Sequence, residues 1–297
     1  MSAATTVAGR IVAAFGRHYE VALEDDGRRV TGIPRGKKSL YACGDRVHIE
    51  LSAADQGQIT GHDERDTLLY RSDEWKQKII AANVTQLVLV TATEPGFSDE
   101  LLSRAVAAAE HEGMKVLLVL NKCDLTTGLA AARALLAPFA ALGYPVLELS
   151  AREGADALHP FLTDETSILV GQSGMGKSTL INALLPDAQA ATREISTALD
   201  SGKHTTTYAR LYALPEGGAI IDSPGLQEFG LAHLSLGELE AAFRELRPLL
   251  GQCRFHDCRH KAEPDCAVKA AVTSGAMHPR RYAHFMQICG AASRPSR

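Results

Sequence analysis

Residues 171–178 read Gly171-Gln172-Ser173-Gly174-Met175-Gly176-Lys177-Ser178, followed by Thr179. This is the pattern G-x-x-x-x-G-K-[ST], whose glycines let successive backbone N–H groups turn inward around a row of phosphates. It stands where that chemistry needs it, behind the apolar run Ile168 to Val170, so that a strand delivers the loop and the following helix adds its positive end. Lys177 is placed to reach the β- and γ-phosphates of a nucleotide, and Ser178 to coordinate Mg²⁺.

Upstream of the loop, Leu87 to Val90, Lys115 to Leu120 and Val146 to Leu149 are apolar runs of strand length. Ser98 to Glu112 and Leu129 to Leu142 between them carry a helical period. Strands of continuous Val, Leu and Ile alternating with helices predict an α/β domain, its mostly parallel sheet covered on both faces. Downstream, Ala219 to Ile221 is a strand ending in Asp222-Ser223-Pro224-Gly225, a D-x-x-G element. Asp222 is expected to hold Mg²⁺ through water and the Gly225 N–H to sense the γ-phosphate. Between loop and D-x-x-G lies Gly202-Lys203-His204-Thr205-Thr206-Thr207, with the composition of a switch loop. Thr206, with Thr205 as the alternative, is expected to close over the metal; an ordinary connector ending in strand-forming threonines is the competing explanation.

Base choice rests on Asn121-Lys122-Cys123-Asp124, at the end of the strand Lys115 to Leu120. A carboxylate at Asp124 accepts paired hydrogen bonds from guanine N1–H and N2–H, a donor pair adenine lacks, so guanine is preferred. Lys122 is expected along the base, and Ser150-Ala151 supplies the backbone element for guanine O6. These motifs precede the phosphate loop, whereas common GTPases place them after it, so the order predicts a circularly permuted GTPase. Permutation makes the segment after Asp222 run straight into the C-terminal part of the chain, where nucleotide state can move it. Leu226 follows the D-x-x-G glycine where a water-orienting Gln often stands, which predicts slow intrinsic hydrolysis. His204 is the nearest candidate to position the water, with a purely structural switch contact as its alternative; Gln227 ranks behind it.

The ends of the chain read differently. Over residues 1–71, short alternating segments at Val7 to Ala13, Tyr19 to Leu23, Arg29 to Ile33, Arg46 to Leu51 and Gln58 to Thr60 predict a small closed barrel, most simply an OB-fold. Arg28, Arg29, Arg35, Lys37, Lys38 and Arg46, with Tyr41 among them as a stacking ring, suit single-stranded nucleic acid, or merely solubilise the barrel. After about Leu231 the strands stop. Ser235 to Glu238 forms a capping box, opening a helix with Leu236, Leu239, Phe243, Leu246 and Leu250 on one face. Cys253-x4-Cys258-x-His260-x5-Cys266 follows, three thiols and an imidazole that fit the closed Cys3His shell of structural zinc, with His256 as the competing imidazole. Cys43, Cys123 and Cys289 have no partner pattern.

The 297 residues, 45% hydrophobic and 22% charged, are those of an ordinary globular protein with room for two domains and a small third. The longest uncharged apolar run, Ala134 to Leu147, is broken by Pro138, Gly143 and Pro145, so no membrane helix is expected. No export signal is visible, and the six cysteines are expected as thiols in a reducing compartment. The net charge of −4 divides into 0 over residues 1–71, −10 over 72–243 and +6 over 244–297. Either a polyanion is held at the ends, or the basic tail is a solvated helix face.

With G-Q-S-G-M-G-K-S-T, G-K-H-T-T-T, D-S-P-G-L-Q-E-F-G and the C-x4-C-x-H-x5-C cluster in this permuted order, the chain resembles the ribosome small-subunit-dependent GTPase A family (RsgA, also called YjeQ) over nearly its whole length. The resemblance implies an OB-fold over residues 1–72, a permuted GTPase over 73–231 and a zinc-binding helical domain over 232–297. It implies a cytoplasmic bacterial factor in late maturation of the 30S subunit, binding its 16S rRNA and hydrolysing GTP to GDP with stimulation by that subunit. His204 corresponds to the family's proposed catalytic histidine, and Cys253, Cys258, His260 and Cys266 to its zinc ligands. Lys203 departs from the Gln or Arg common before that histidine, which touches the switch contacts to RNA. A monomer is the simplest expectation. A small-molecule kinase and an RNA scaffold with GTP as a structural ligand are the alternatives.

Overall fold

The computed structural model describes residues 6–36, 41–73, 76–185, 209–223, 231 and 233–292. Strands β1 (Thr6–Phe15), β2 (His18–Leu23), β3 (Arg29–Pro34), β4 (Arg46–Leu51) and β5 (Gln56–His62) close on themselves in the order β1-β2-β3-β5-β4-β1, the five-stranded barrel expected. Only the β3–β5 pair is parallel. Alternation is clean in β2 and β4, so Val21, Leu23, Val47 and Ile49 meet Ile11, Tyr19, Val30 and Ile59 inside.

A hairpin of β6 (Leu68–Asp73) and β7 (Lys76–Ala82) follows, and sequence reasoning missed it. A domain border between residues 72 and 73 falls inside this hairpin. The α/β sheet then runs β10 (Val146–Glu148), β9 (Lys115–Asn121), β8 (Gln86–Ala92), β11 (Thr166–Val170) and β13 (Ala219–Asp222), all parallel. β12 (Arg210–Ala213), also unforeseen, adds an antiparallel edge. Its Arg210 pairs with Ala13 of β1, so barrel and sheet are joined through one strand edge rather than lying apart. Every residue of β8 is buried, because helices cover both faces. They are α1 (Asp99–His111), α2 (Leu129–Ala141), the single turn α3 (His159–Leu162) and α4 (Lys177–Leu184).

The C-terminal part holds α5 (Leu236–Ala242), α6 (Ala267–Ser274) and α7 (Pro279–Ala292) around a core of Leu239, Phe243, Leu246, Val268, Phe285 and Ile288. The Ser235/Glu238 capping box is present, with the Ser235 N–H donating to Glu238 at 2.7 Å. The helix expected to run on to Leu250 instead ends at Ala242: Phe243 turns extended into the core against Phe285, and a 3₁₀ turn at Arg247–Leu249 carries Pro248. Leu250, assigned to the buried face, is consequently 44% exposed.

The charge division has an outcome that neither expectation covered. Arg244 and Arg247 both bond Glu110 at the end of α1, at 2.7 and 2.6 Å. Arg280 bonds Asp99 through two nitrogens, each at 2.8 Å, at the start of the same helix. Three of the tail's ten basic residues are therefore spent on the acidic middle of its own chain.

Candidate functional site

The phosphate loop leaves β11 between buried strands and enters α4 with Gly174 at φ +82° and Gly176 at φ +91°, a backbone that L side chains resist. Gly176 has a second constraint, since a Cβ there would lie 2.3 Å from Asn121 Nδ2. Asn121, 1% exposed, fastens three motifs together. Its Nδ2 donates to Met175 O at 2.9 Å, and its Oδ1 accepts from the N–H groups of Ala151 at 2.9 Å and Lys122 at 2.8 Å. β9 ends here: Asn121 O still accepts from Thr93 N–H at 3.4 Å, but the next residue, Lys122, turns to φ +61°. The ladder resumes obliquely as Cys123 N–H donates to Leu149 O at 3.1 Å.

Around this knot opens a cleft of about 500 Å³, lined by Asn121, Lys122, Ser150, Ala151, Ser173, Gly174, Gly176, Lys177, Ser178, Thr179 and Asp222, together with Arg152. The motifs that the permuted order scatters over a hundred residues are thus brought to one place. Lys177 Nζ donates to Gly171 O at 2.5 Å and Gln172 O at 3.0 Å, which leaves one of its three protons for an anion. Burial pushes the Lys177 ammonium below its ordinary pKa, partly offset by Asp222, and pushes the Asp222 carboxyl up, partly offset by Lys177. Each charge is thus short of a counter-charge, which an anion near one and a cation near the other supplies. Ser150 Oγ is buried with no hydrogen-bond partner among the described residues.

Gly171, Gln172, Met175, Cys123 and Asp124, also expected at the site, are not part of this lining. Met175 is buried beneath the loop, and the Cys123 thiol turns back to Leu120 O at 3.2 Å. Asp124 is exposed beyond Lys122, whose Nζ donates to Glu94 O at 2.7 Å. Gln172 turns to Ser98, away from the cleft. His204, Thr205, Thr206, Thr207, Gly225, Leu226 and Gln227 lie outside the described residues. Arg152 was missed, although its adjacency to Ser150-Ala151 was a signal in the sequence.

In the C-terminal part, Cys253 Sγ, Cys258 Sγ, His260 Nδ1 and Cys266 Sγ all lie within 4.8 Å of one another and could hold a metal ion. Nδ1 stands 3.6, 3.5 and 3.4 Å from the three sulfurs, and Cys253 and Cys266 are 3.9 Å apart at sulfur. A tetrahedron with metal–sulfur and metal–nitrogen bonds of about 2.3 and 2.0 Å has edges of roughly 3.5–3.8 Å, so the set closes around one ion. His260 reaches it from φ +59°, with Nε2 held by Glu240 Oε1 at 2.8 Å, the outer carboxylate that fixes a ligand imidazole. Glu240 carried no signal in the sequence. His256, the rival imidazole, is fully exposed beyond the cluster. The six cysteines, all described, form no disulfide. Burial pushes the Cys43 thiol up to about 12 and Cys289 up to about 11, so neither is reactive.

On the barrel, the basic residues are less free than their number suggests. Arg29 bonds Glu20 at 2.6 Å and Arg46 lies 3.4 Å from Asp66. Tyr41 packs edge-on between Tyr19 and His62, and Lys37 and Lys38 lie outside the described residues.

A phosphate loop, N-K-x-D and S-A elements on one sheet, in permuted order, with a barrel before and a Cys3His helical region after, define a circularly permuted GTPase. The RsgA GTPase family model matches residues 62–232, and the chain belongs to that family. The small ribosomal subunit biogenesis GTPase RsgA of Burkholderia pseudomallei (strain K96243) is 56% identical over 289 residues, covering 96% of this chain and 92% of that protein. Its counterpart in Paraburkholderia phytofirmans is 54% identical, covering 97% and 94%. Among solved structures, YjeQ from Thermotoga maritima has a TM-score of 0.75 at 29% identity over 98% of this chain and all of that one. YloQ, a circularly permuted GTPase, has a TM-score of 0.71 at 26% identity over 98% and 97%. Like its family, the chain is a GTP hydrolase. No helix among the described residues is long and apolar enough to cross a membrane.

Proposed function

We propose that this GTPase acts in late maturation of the 30S ribosomal subunit in the bacterial cytoplasm, binding its 16S rRNA as a monomer and hydrolysing GTP to GDP and phosphate under stimulation by that subunit. The observation that carries the GTP part is the cleft in which Asn121 ties the phosphate loop to the N-K-x-D and S-A elements. The ribosomal part rests on relatives that bear that function in their names. Units at 1–72, 73–231 and 232–297, with the hairpin β6–β7 astride the first border, divide the work between RNA and nucleotide.

Within the site, backbone N–H groups of Gly171, Gln172, Ser173, Gly174, Met175, Gly176 and Lys177 cradle phosphates, with Ser178 and Thr179 opening α4 beneath them. By the N-K-x-D pattern Asp124 selects guanine and Lys122 and Cys123 frame the base, and the Ser150 and Ala151 backbone, which lines the cleft with Lys122, meets guanine O6. The hard oxygen donors Ser178 and Asp222, with Thr206, suit Mg²⁺, which neutralises developing phosphate charge when bound. Gly225 senses the γ-phosphate. His204 positions the attacking water, in the absence of a Gln after Gly225. The closed thiolate-rich shell of Cys253, Cys258, His260 and Cys266 suits zinc as a structural ion.

The test is GTP and ATP hydrolysis by the purified protein with and without purified 30S subunits, in wild type and His204→Ala. GTP-selective stimulation that His204→Ala loses while still binding GTP is the expected result. Equal turnover of ATP overturns the base assignment, and no acceleration by subunits overturns the partner.

A further inference from the structure

Helix α1 is held on two sides by bonds that the nucleotide chemistry leaves unexplained. Gln172 Oε1 accepts from the backbone N–H of Ser98 at 3.0 Å, and Ser98 caps α1 by accepting from Leu101 N–H at 3.3 Å. One residue on, Asp99 takes both Nε and Nη2 of Arg280 at 2.8 Å, with His284 Nε2 at 3.6 Å. One turn later the fully buried Ser103 Oγ bonds Arg281 Nη1 at 2.8 Å and His284 Nδ1 at 2.9 Å. Arg281, 2% exposed, is sandwiched between the rings of Phe139 and Phe243, its charge centre 4.8 and 4.5 Å from their centroids, and it bonds Glu245 at 2.7 Å. The first two turns of α1 therefore cannot shift without α7 following or the bonds breaking.

On the other side, the link to the phosphate loop is narrow. A cavity of about 30 Å³ lies between loop and helix, lined by Phe97, Ser98, Leu101, Leu102, Gly171 and Gln172 among others. Beside this cavity the Gln172 bond joins loop and helix, while Val170 below it shares a core with Leu102 and Ala105 of α1. Lys177, the group a phosphate engages, is itself bonded to the Gln172 carbonyl at 3.0 Å.

We propose that Gln172 is a positioning residue that ties the phosphate loop to α1, and that Asp99 with Arg280 carries nucleotide state from α1 to the C-terminal helical region. The route is separate from the covalent link after Asp222, and it rests on the nucleotide assignment above. Coupling of this kind is reciprocal: if the loop biases the seat of α7, loosening that seat must change how the loop discriminates GTP from GDP.

The experiment measures affinities of the full-length protein for GDP and for a non-hydrolysable GTP analogue in wild type, Gln172→Ala, Arg280→Ala and the double variant. The Arg280 side chain is 56% exposed and does not line the cleft, and a thermal melt checks that its variant is folded. Arg280→Ala is expected to change the analogue-to-GDP affinity ratio about five-fold, and the double variant to match Gln172→Ala alone. A mere loss of packing lowers the melting point without moving that ratio. A ratio within two-fold of wild type in Arg280→Ala, or full additivity in the double variant, overturns the proposal. A wild type that binds neither nucleotide overturns the nucleotide assignment itself.

Discussion

Asn121→Ala is the sharpest test of the site, because one buried side chain serves three partners. Removing it strands Met175 O, Ala151 N–H and Lys122 N–H, which it meets at 2.9, 2.9 and 2.8 Å. An unsatisfied buried polar group costs about 1–3 kcal/mol. Lys122 and Ala151 line the adjoining cleft, where water could replace part of what the variant loses, so the lower half of that range applies, giving roughly 4 kcal/mol for three groups. At about 2–4 °C per kcal/mol the melting point falls by roughly 10 °C or more. Gly176→Ala acts on the same contact: its Cβ would stand 2.3 Å from Asn121 Nδ2, at φ +91°. In the Asn121→Ala background that clash disappears, and only a backbone penalty of about 1 kcal/mol remains. The two losses should therefore be clearly less than additive in thermal melts of the four proteins, and GDP affinity should fall in each variant. A melting point within 2 °C of wild type for Asn121→Ala, or additivity in the pair, would refute the knot.

If Asp124 reads guanine as proposed, Asp124→Asn exchanges two charge-assisted bonds for mismatched ones, about 3 kcal/mol or roughly 100-fold in GTP affinity, with preference moving to xanthosine triphosphate. Competition binding checks this, and unchanged GTP affinity sinks the base assignment. Metal analysis should find one zinc per chain, and Glu240→Gln, which weakens the hold on His260 Nε2, should make it about 10–100-fold easier for a chelator to remove; equal resistance to the chelator would count against that role. Burial holds the His284 imidazole below its ordinary pKa, with Arg281 and Arg280 adding to this and Asp99 opposing it. Asp99, whose burial is outweighed by Arg280, stays ionised far below that range. Just below pH ~6.5 the unfolded chain binds a proton that folded His284 does not, so stability falls as pH drops through that value. Melting points between pH 7.5 and 5.5 should fall less steeply in His284→Gln, and an identical slope would show that the histidine is silent.

The α/β core and the motifs that line the cleft were legible because their signals are local. β8 and β9 are continuous apolar runs, and Gly171 to Ser178 is fixed in both composition and spacing by the backbone it must adopt. The permuted order was legible for the same reason, each motif being named by its own residues. What escaped depends on distant partners. β12 is four residues long and is a strand because Arg210 to Ala213 finds β13, and the hairpin β6–β7 mixes charged and apolar residues without clear alternation. The early end of α5 comes from a tertiary pull on Phe243 that a helical period cannot report. Glu240 and Gln172 take their roles from residues 20 and 74 positions away, which no spacing rule connects.

The same dependence on distant partners revises the meaning of the charge pattern. A tail of +6 beside a middle of −10 invites a polyanion. Yet Arg244, Arg247 and Arg280 answer Glu110 and Asp99, while Arg281 is buried against Glu245 and Ser103. A charge neutralised within the chain contributes little to steering at the Debye length of about 8 Å. Among the described residues of the tail, Arg259, Lys261 and the half-buried Lys269 are in no ion pair; Arg259 and Lys261 stand around the metal cluster, with Arg254 shared with Asp265 at 2.9 Å and Phe255 exposed among them. Binding that loses its salt dependence on Arg259→Ala and Lys261→Ala, but not on Arg247→Ala, follows from this geometry. Equal loss in all three would mean that the pairs to α1 open on contact with the partner.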